Sequence, residues 1–225
     1  AILEDSKCNI RTTLENNGFD VDKYLKDIVE YNIYSAGISS EDSLGKSAEQ
    51  VKEMYPTMIL SIDERIMKIS DYNKIAKLYG NEAFSLNEDE YMIIADYKTM
   101  ADIRNIALKA GQTIDINGRT YKPKYIECKE GFVGIAAQHV NDGIIVVPDK
   151  AVNEEQLRSV GMSADYKAAD KKERYDIENK LNEALKGVYN KTSYLVANTR
   201  IDIAESSAGL GALVTFIALY LGIIF

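Results

Sequence analysis

The last eighteen residues of the chain, 208–225, form an uninterrupted apolar run with the sequence AGLGALVTFIALYLGIIF. The run contains no charged residue, and its polar groups are the hydroxyls of Thr215 and Tyr220. A bilayer core about 30 Å thick requires roughly 20 apolar residues, because a helix advances by about 1.5 Å per residue. The run therefore predicts the beginning of a transmembrane helix. The residues expected to form its apolar surface are Ala208, Leu210, Leu213, Val214, Phe216, Ile217, Leu219, Tyr220, Leu221, Ile223, Ile224 and Phe225.

A buried C-terminal helix in a soluble core is the alternative interpretation of this run. A soluble helix normally has a polar stripe opposite its apolar one, and the run has none. Gly209, Gly211 and Gly222 are compatible with both interpretations, since small residues also allow membrane helices to approach closely. The missing polar stripe favours the membrane.

Both ends of the chain lead us to expect a segment of a longer membrane protein. The chain starts without a Met or a signal-peptide pattern, and it stops while the run is still apolar. Cytoplasmic flanks of membrane helices are enriched in Lys and Arg. Just before the run, Lys191 and Arg200 are balanced by Asp202 and Glu205. This balance allows an extracytoplasmic placement of residues 1–207, which is the placement that we expect.

The net charge of −8 argues against nucleic acid as a partner, because phosphate neutralisation requires a basic patch that the sequence does not show. An acidic surface raises the local concentration of cationic ligands, and it also serves simple solubility. Two cysteines, Cys8 and Cys128, are too few for a disulfide framework. One disulfide outside the cell and two unpaired thiols both remain open.

The first third of the sequence predicts short helices and then a loop. Residues 5–17 are expected to form a helix that ends near Gly18, and Asp20 is expected to cap a second element. Residues 35–48 (SAGISSEDSLGKSA) are rich in Ser and Gly, which predicts a loop and the first candidate for mobility. Residues 1–207 are long enough for one compact domain or two subdomains.

Three tyrosines near this loop, Tyr24, Tyr31 and Tyr34, are spaced by seven and three residues. This spacing is typical of one face of a helix, so a half-buried helix face is the favoured interpretation. The alternative is a binding surface, because Tyr and Ser together form adaptable contacts.

Two β–α units are predicted in the middle of the sequence. Strand-like segments at 57–62, 66–69 and 91–96 precede helices that end at Gly80 and Gly111. This alternation of strand and helix begins the folded core of the chain.

Predicted hairpins follow these units. Residues 113–126 are expected to form a hairpin about Asn117 and Gly118, a pair that tolerates the positive φ values of a type I′ turn. Residues 132–137 and 143–147 are expected to form two more strands.

One more strand at 160–168 and a helix complete the pattern. Asp170 and Glu173 resemble a capping box, and the helix that they start is expected to end at Gly187. Because hairpins are mixed with irregularly alternating helices, the predicted fold class is α+β. We expect a mixed or antiparallel sheet with packed helices, ending in a helix that starts the transmembrane span.

No motif for catalysis or cofactor binding occurs in the sequence. His139 is the only histidine, which excludes a multi-histidine metal site, and no GxSxG elbow supplies a nucleophile beside it. Neither GxxxxGK[ST] nor GxGxxG occurs, and the acidic residues 87–90 lack the ligand spacing of a calcium loop. We predict a chain that is not an enzyme and has no cofactor or metal. A membrane-tethered enzyme with carboxylates paired in space remains the alternative.

Several segments resemble a known family. The sequence ESSAGLGALVTFIALYLGIIF resembles the entry to the membrane helix that follows the large extracellular loop of FtsX-like ABC transporter permeases. The similarity is greatest to the Gram-positive branch that includes bacitracin and antimicrobial-peptide resistance permeases. Upstream, ISDYNKIAKLYG, DEYMIIADY, the hairpin with YKPKY, and GIIVVPD resemble segments of that loop. The resemblance spans roughly residues 55–225.

The resemblance implies a role in transport at the cell membrane. A cytoplasmic ABC ATPase subunit would drive the permease, and the extracytoplasmic domain would bind a substrate or transmit its presence to the membrane helices. The implied ligands are cationic antimicrobial peptides or lipid-linked cell-wall complexes, and a sensor kinase is an implied partner. The alternative is a scaffold domain that engages an envelope partner such as a cell-wall hydrolase. None of the resembling motifs identifies a ligand-binding residue.

Overall fold

The structure, a computed structural model, describes residues 2–3, 9–136, 139, 141–189 and 195–224. Within these ranges the chain forms ten strands and eight α-helices. The strands are β1 (Ile2–Leu3), β2 (Leu25–Ser39), β3 (Asp63–Lys68), β4 (Glu90–Ala95), β5 (Ile114–Ile116), β6 (Arg119–Pro123), β7 (Lys129–Glu130), β8 (Ile144–Val147), β9 (Leu157–Tyr166) and β10 (Leu195–Val196). The helices are α1 (Ile10–Asn16), α2 (Val21–Tyr24), α3 (Ser40–Leu44), α4 (Ala48–Met54), α5 (Ile69–Tyr79), α6 (Lys98–Lys109), α7 (Lys171–Tyr189) and α8 (Arg200–Ile224).

Eight of the described strands form one mixed sheet in the order β10-β1-β9-β2-β3-β8-β4-β7. The pairs β3–β8 and β4–β7 are parallel, and the other neighbours are antiparallel. The hairpin of β5 and β6 extends this sheet, because β6 pairs in parallel with the start of β4. Helices pack against the sheet through shared apolar clusters. The prediction of an α+β fold with a mixed sheet and packed helices is confirmed.

The long strand β2 corrects the interpretation of the tyrosine spacing. Tyr24 ends the one-turn helix α2, whereas Tyr31 and Tyr34 lie on β2. Tyr31 and Ile33 pack into one apolar cluster, and Tyr34 and Ala36 pack into another, as expected when successive side chains point to opposite faces of a sheet. The prediction of a helix face is wrong because the stretch is also rich in alternating β-branched and aromatic residues, which is typical of a strand.

The segment 35–48 is not a loop. It comprises the end of β2, helix α3 and a 3₁₀ turn at Gly45–Ser47, and it enters α4. Ser39 caps α3, since its hydroxyl accepts a hydrogen bond from the backbone N–H of Asp42 (3.2 Å) and the Asp42 carboxylate accepts one from the Ser39 N–H (2.8 Å). Three further serines in the segment are buried. Serine here caps a helix and forms buried hydrogen bonds. Because loops are also rich in serine, composition alone does not distinguish this segment from a loop.

The predicted turn residues are confirmed where glycine or asparagine takes a positive φ. Helix α5 ends at Gly80 with φ 73°, and Gly111 follows α6 with φ 68°. Asn117 and Gly118 join β5 to β6 with φ 51° and 77°. These positions favour Gly and Asn because side chains with a branched Cβ rarely adopt such angles.

Two predicted strands are wrong. Residues 57–62 are not a strand, because the carbonyl groups of Leu60 and Ile62 accept hydrogen bonds from the first turn of α3. The described residues 132–136 also contain no strand, while residue 137 lies outside the described residues. In both cases the apolar residues suggested a strand, but the segment does not pair with a neighbouring strand.

The close approach of Gly161 to Tyr31 allows a test of this packing. Gly161 in β9 pairs with Tyr31 in β2, and a Cβ atom added at Gly161 would lie 2.1 Å from the tyrosine ring. Gly161→Ala should therefore lower the free energy of unfolding by about 1–3 kcal/mol, because the ring would have to move. Urea unfolding in detergent micelles measures this change. Gly134→Ala is the control, since its added Cβ would have no neighbour within 4 Å. Equal stability of both variants would contradict the tight packing.

Candidate functional site

Helix α8 carries the predicted membrane run. Its stretch Arg200–Leu221 has 22 residues, is long and apolar enough to cross a membrane, and is the one such helix in the described part of the chain. None of that stretch is buried against the domain, and Phe216 is 67% exposed. The prediction of one helix over the apolar run is confirmed, and the structure places this helix outside the packed domain. The buried core helix is not what the structure shows.

The predicted span residues whose side chains are described all lie exposed on α8. They are Ala208, Leu213, Val214, Phe216, Ile217, Leu219, Tyr220 and Leu221. Leu210, Ile223 and Ile224 belong to α8, but their side chains are not among those described, and Phe225 lies outside the described residues. At about 1.5 Å per residue, the whole helix extends roughly 37 Å, and its charge-free part after Glu205 covers most of a bilayer core of about 30 Å.

A buried hydrogen-bond cluster holds the first turn of α8. Thr199 precedes the helix, and its hydroxyl accepts a hydrogen bond from the backbone N–H of Asp202 (3.1 Å). The same hydroxyl donates to the Glu178 carboxylate of α7. The other Glu178 oxygen accepts a hydrogen bond from the Tyr166 hydroxyl of β9 (2.9 Å). Tyr166, Glu178 and Thr199 are called the root cluster below; Glu178 is 3% exposed.

Two exposed contacts also reach the start of α8. The Tyr175 hydroxyl of α7 donates to the Glu205 carboxylate (2.9 Å), and the Arg200 guanidinium lies 3.7 Å from the Asp165 carboxylate. Exposed pairs of this kind contribute little to stability, because water screens them. The root cluster is therefore the main polar attachment of α8 among the described residues.

A cleft of about 520 Å³ opens beside the root cluster. Its walls come from α1, α5, α7, β2 and β9, and residues 134–135 and 197–200 complete them. Leucine and methionine side chains form much of the surface, including Leu25, Met162 and Leu181. The residues that line the cleft at 197–200 run directly into α8.

Three tyrosines contribute hydroxyl groups to the cleft. Tyr31 donates to the backbone carbonyl of Val133 (3.0 Å), Tyr79 donates to the Ser163 hydroxyl (3.0 Å), and Tyr166 belongs to the root cluster. Burial raises the pKa of Tyr31 and the pKa of Tyr79 above the ordinary value. These hydroxyls therefore stay neutral at physiological pH, and the cleft offers hydrogen bonds within an apolar wall.

Charged groups of both signs line the cleft. Asp27 and Asp165 are acidic, and Lys74, Lys77 and Arg200 are basic. Asp27 has φ 51° at an irregular position of β2, where the pairing with β9 shifts. A positive φ at a residue other than Gly is uncommon and costs energy, although Asp tolerates it better than most residues.

The clearest buried ion pair lies away from the cleft. The Arg104 guanidinium donates to both Glu64 oxygens, one of them at 2.9 Å, and Ser43 donates to the same carboxylate (2.6 Å). Burial acts to raise the pKa of Glu64, but the Arg104 charge and these hydrogen bonds outweigh it and hold the pKa below its ordinary value. Neither residue lines the cleft. The Glu64 carboxylate is therefore fully engaged by Arg104 and Ser43.

The other residues with potential chemistry do not form a site in the described part of the chain. His139 is exposed, with its Nδ1 3.7 Å from Asp96 Oδ2. Cys128 has a free thiol, and burial raises its pKa to about 12, which makes it unreactive at neutral pH. Cys8 lies outside the described residues. Within the described residues, no group of three or more His, Cys, Asp or Glu side chains could hold a metal.

Sequence reasoning missed most of the cleft and of the root cluster beside it. Tyr31 attracted attention by its spacing, but Tyr79, Tyr166, Glu178 and Thr199 carried no motif. Their association depends on contacts between β9, α7 and the start of α8, and no local pattern encodes such contacts.

Comparison with known proteins provides no assignment: no protein-family model matches the chain, and no curated protein matches it significantly.

Proposed function

We propose that this chain is the non-catalytic extracytoplasmic domain of an FtsX-like ABC transporter permease, which binds a ligand in the cleft and transmits its presence to α8. The observation that carries this proposal is that the cleft wall at 197–200 continues directly into α8. A ligand in the cleft would touch the residues that anchor a membrane-type helix. The proposed ligand site and the proposed membrane helix thus lie next to each other.

The shape of the cleft supports a binding role. Ligand sites are typically concave, largely apolar and about 300–1,000 Å³, with a few polar groups that fix orientation. The cleft has such a volume, about 520 Å³, and tyrosine hydroxyls within leucine-rich walls. A flat apolar surface would instead favour a scaffold role.

The position of the N-terminal strand supports a loop between membrane spans. Ile2 pairs with Val196, so β1 lies beside the strand that precedes α8. A span that preceded β1 in a longer protein would enter the membrane close to α8. The full-length gene tests this point: further apolar spans on both sides of the domain and an adjacent ATPase gene are expected.

Cationic antimicrobial peptides and lipid-linked cell-wall complexes are the proposed ligand classes. The net charge of −8 of the whole chain favours a cationic ligand. At the cleft itself, Asp27 and Asp165 can pair with a cationic group, although Lys74, Lys77 and Arg200 also line it. The apolar walls would accept an aliphatic part. The proposed partners are the cytoplasmic ATPase, which would act through the rest of the permease, and a sensor kinase.

A scaffold that engages an envelope protein, such as a cell-wall hydrolase, is the second candidate. Met54, Ile59 and Ile62 expose apolar side chains at the end of α4 and in the segment that follows, and Ile59 is 65% exposed. Exposed apolar groups of this kind are typical of protein interfaces. This role predicts that charged substitutions at these three positions abolish partner binding, whereas filling the cleft does not.

A cleft-filling variant separates the two roles. Ala164→Phe places a ring at a residue that lines the cleft and should weaken ligand binding roughly tenfold or more, because the ring occupies the ligand's space. Calorimetric titration of the full chain in lipid nanodiscs with bacitracin and nisin measures the affinity. Ala83→Phe is the matched control on an exposed residue outside the cleft. No binding of any peptide by the wild-type chain would count against direct peptide recognition.

A further inference from the structure

The root cluster joins three structural elements at one buried carboxylate. Glu178 lies on α7, Tyr166 lies on β9 and lines the cleft, and Thr199 caps α8. Each carboxylate oxygen accepts one of the two hydroxyl donors. A change in the position of the Tyr166 hydroxyl therefore alters the surroundings of the group that holds α8.

No cation compensates the Glu178 carboxylate within the described hydrogen bonds and ion pairs. A buried carboxylate is costly unless it is well hydrogen-bonded, and removal of one donor leaves part of that cost uncompensated. The two hydroxyl groups are thus jointly required. When one hydroxyl donor is lost, the Glu178 carboxylate is held less firmly, and its hydrogen bond to the other hydroxyl weakens.

We propose that the root cluster transmits occupancy of the cleft to α8, with Glu178 as the positioning residue. The proposal rests on the cleft being the ligand site of the proposed function. A ligand that accepts a hydrogen bond from Tyr166, or displaces its ring, removes one donor from Glu178. Glu178 then moves with Thr199, and the first turn of α8 changes its orientation relative to the domain.

The exposed contacts at the same helix provide the internal comparison. Tyr175 reaches Glu205 in solvent and does not line the cleft. Loss of its hydroxyl removes a contact to α8 without touching the root cluster. If loss of any contact simply weakens the attachment of α8, Tyr166→Phe and Tyr175→Phe should have similar effects on the helix. If the signal passes through Glu178, their effects should differ.

Amide hydrogen exchange in the full chain in lipid nanodiscs tests the link without a ligand. Glu178→Ala should raise exchange of the Asp202 and Ile203 amides by roughly tenfold, the effect of losing a hydrogen bond to a charged group. Tyr166→Phe, which alters the cleft side, should raise it severalfold, and Tyr175→Phe should not. In the Glu178→Ala background, Tyr166→Phe should cause little further increase in exchange. Exchange unchanged by Tyr166→Phe would overturn the proposal.

Spin-label distances distinguish transmission from a merely structural role. Labels at Lys186→Cys and Ser206→Cys, in a Cys8→Ser and Cys128→Ser background, report the orientation of α8 relative to α7. Ala164→Phe, which imitates an occupied cleft, should shift the distance, and Glu178→Ala should abolish that shift. Glu178→Gln should restore part of it, because the amide still pairs with both hydroxyls. A shift that persists in Glu178→Ala, or no shift with Ala164→Phe, would overturn the proposal.

These measurements are independent of the peptide titration. Failure of bacitracin and nisin to bind would leave the exchange and distance results standing as a property of the domain. Conversely, if the peptides bind normally and α8 does not move, the transmission proposal fails while the proposed binding function stands.

Discussion

Replacing Val214 and Ile217 of α8 by arginine is expected to release the chain from lipid vesicles. Both side chains are exposed near the middle of the apolar run. An arginine near the centre of a membrane helix costs about 2.5–3.5 kcal/mol, so the pair should cost about 5–7 kcal/mol. Vesicle flotation measures the bound fraction, which should fall from nearly complete to a small minority.

The matched control is the double variant Val214→Leu and Ile217→Leu, which keeps the helix apolar and should remain bound. If the arginine variant floats with the vesicles as fully as this control, α8 does not insert into the bilayer. Peripheral attachment through another surface of the domain would then have to account for the binding.

Arg104→Leu is expected to produce the largest loss of stability from a single substitution in the domain. It leaves the Glu64 carboxylate buried without its cation, and breaking a buried pair in this way costs about 3–5 kcal/mol. Guanidinium unfolding in detergent micelles measures the change. Replacing both residues by leucine should cost less than Arg104→Leu alone, because no charge then remains buried. Asp102→Asn, which breaks the exposed pair with Lys98, should leave stability nearly unchanged.

The ion pair of Glu64 and Arg104 should make the stability of the fold depend on pH. Since the pKa of Glu64 is lower in the folded chain than its ordinary value of 4.5, folding favours the ionised form. The stabilisation is complete above pH 4.5 and is lost as the pH falls through the folded pKa. The wild-type chain should therefore lose more stability between pH 6 and pH 3 than the double leucine variant. Parallel pH profiles of the two would contradict this assignment.

The elements that local patterns encode were predictable from the sequence. The apolar run determines α8 because eighteen consecutive residues without a charge are long enough to span most of a bilayer core and leave no polar face for water. The turn at Asn117 and Gly118 follows from their tolerance of positive φ. Such features depend on residues within one turn or one helix.

The site was not predictable because it depends on contacts between distant segments. Tyr166 and Thr199 meet at Glu178 only after β9, α7 and the start of α8 have packed together. The buried pair of Glu64 and Arg104 is likewise forty residues apart in the sequence. Segment 35–48 shows a second limit, since serines that cap and support helices have the same composition as a loop.

The pairing of β1 with residues far along the chain determines when the domain can finish folding. Ile2 pairs with Gly161 on one side and with Val196 on the other, so β1 has no complete set of partners until almost 200 further residues have been made. At roughly 5–20 residues per second, that interval is about 10–40 s. Until then at least one edge of β1 stays open to incorrect pairing, which is a recognised source of misfolding. The strand that closes this edge, β10, emerges just ahead of α8, so completion of the sheet and arrival of α8 are consecutive events in synthesis.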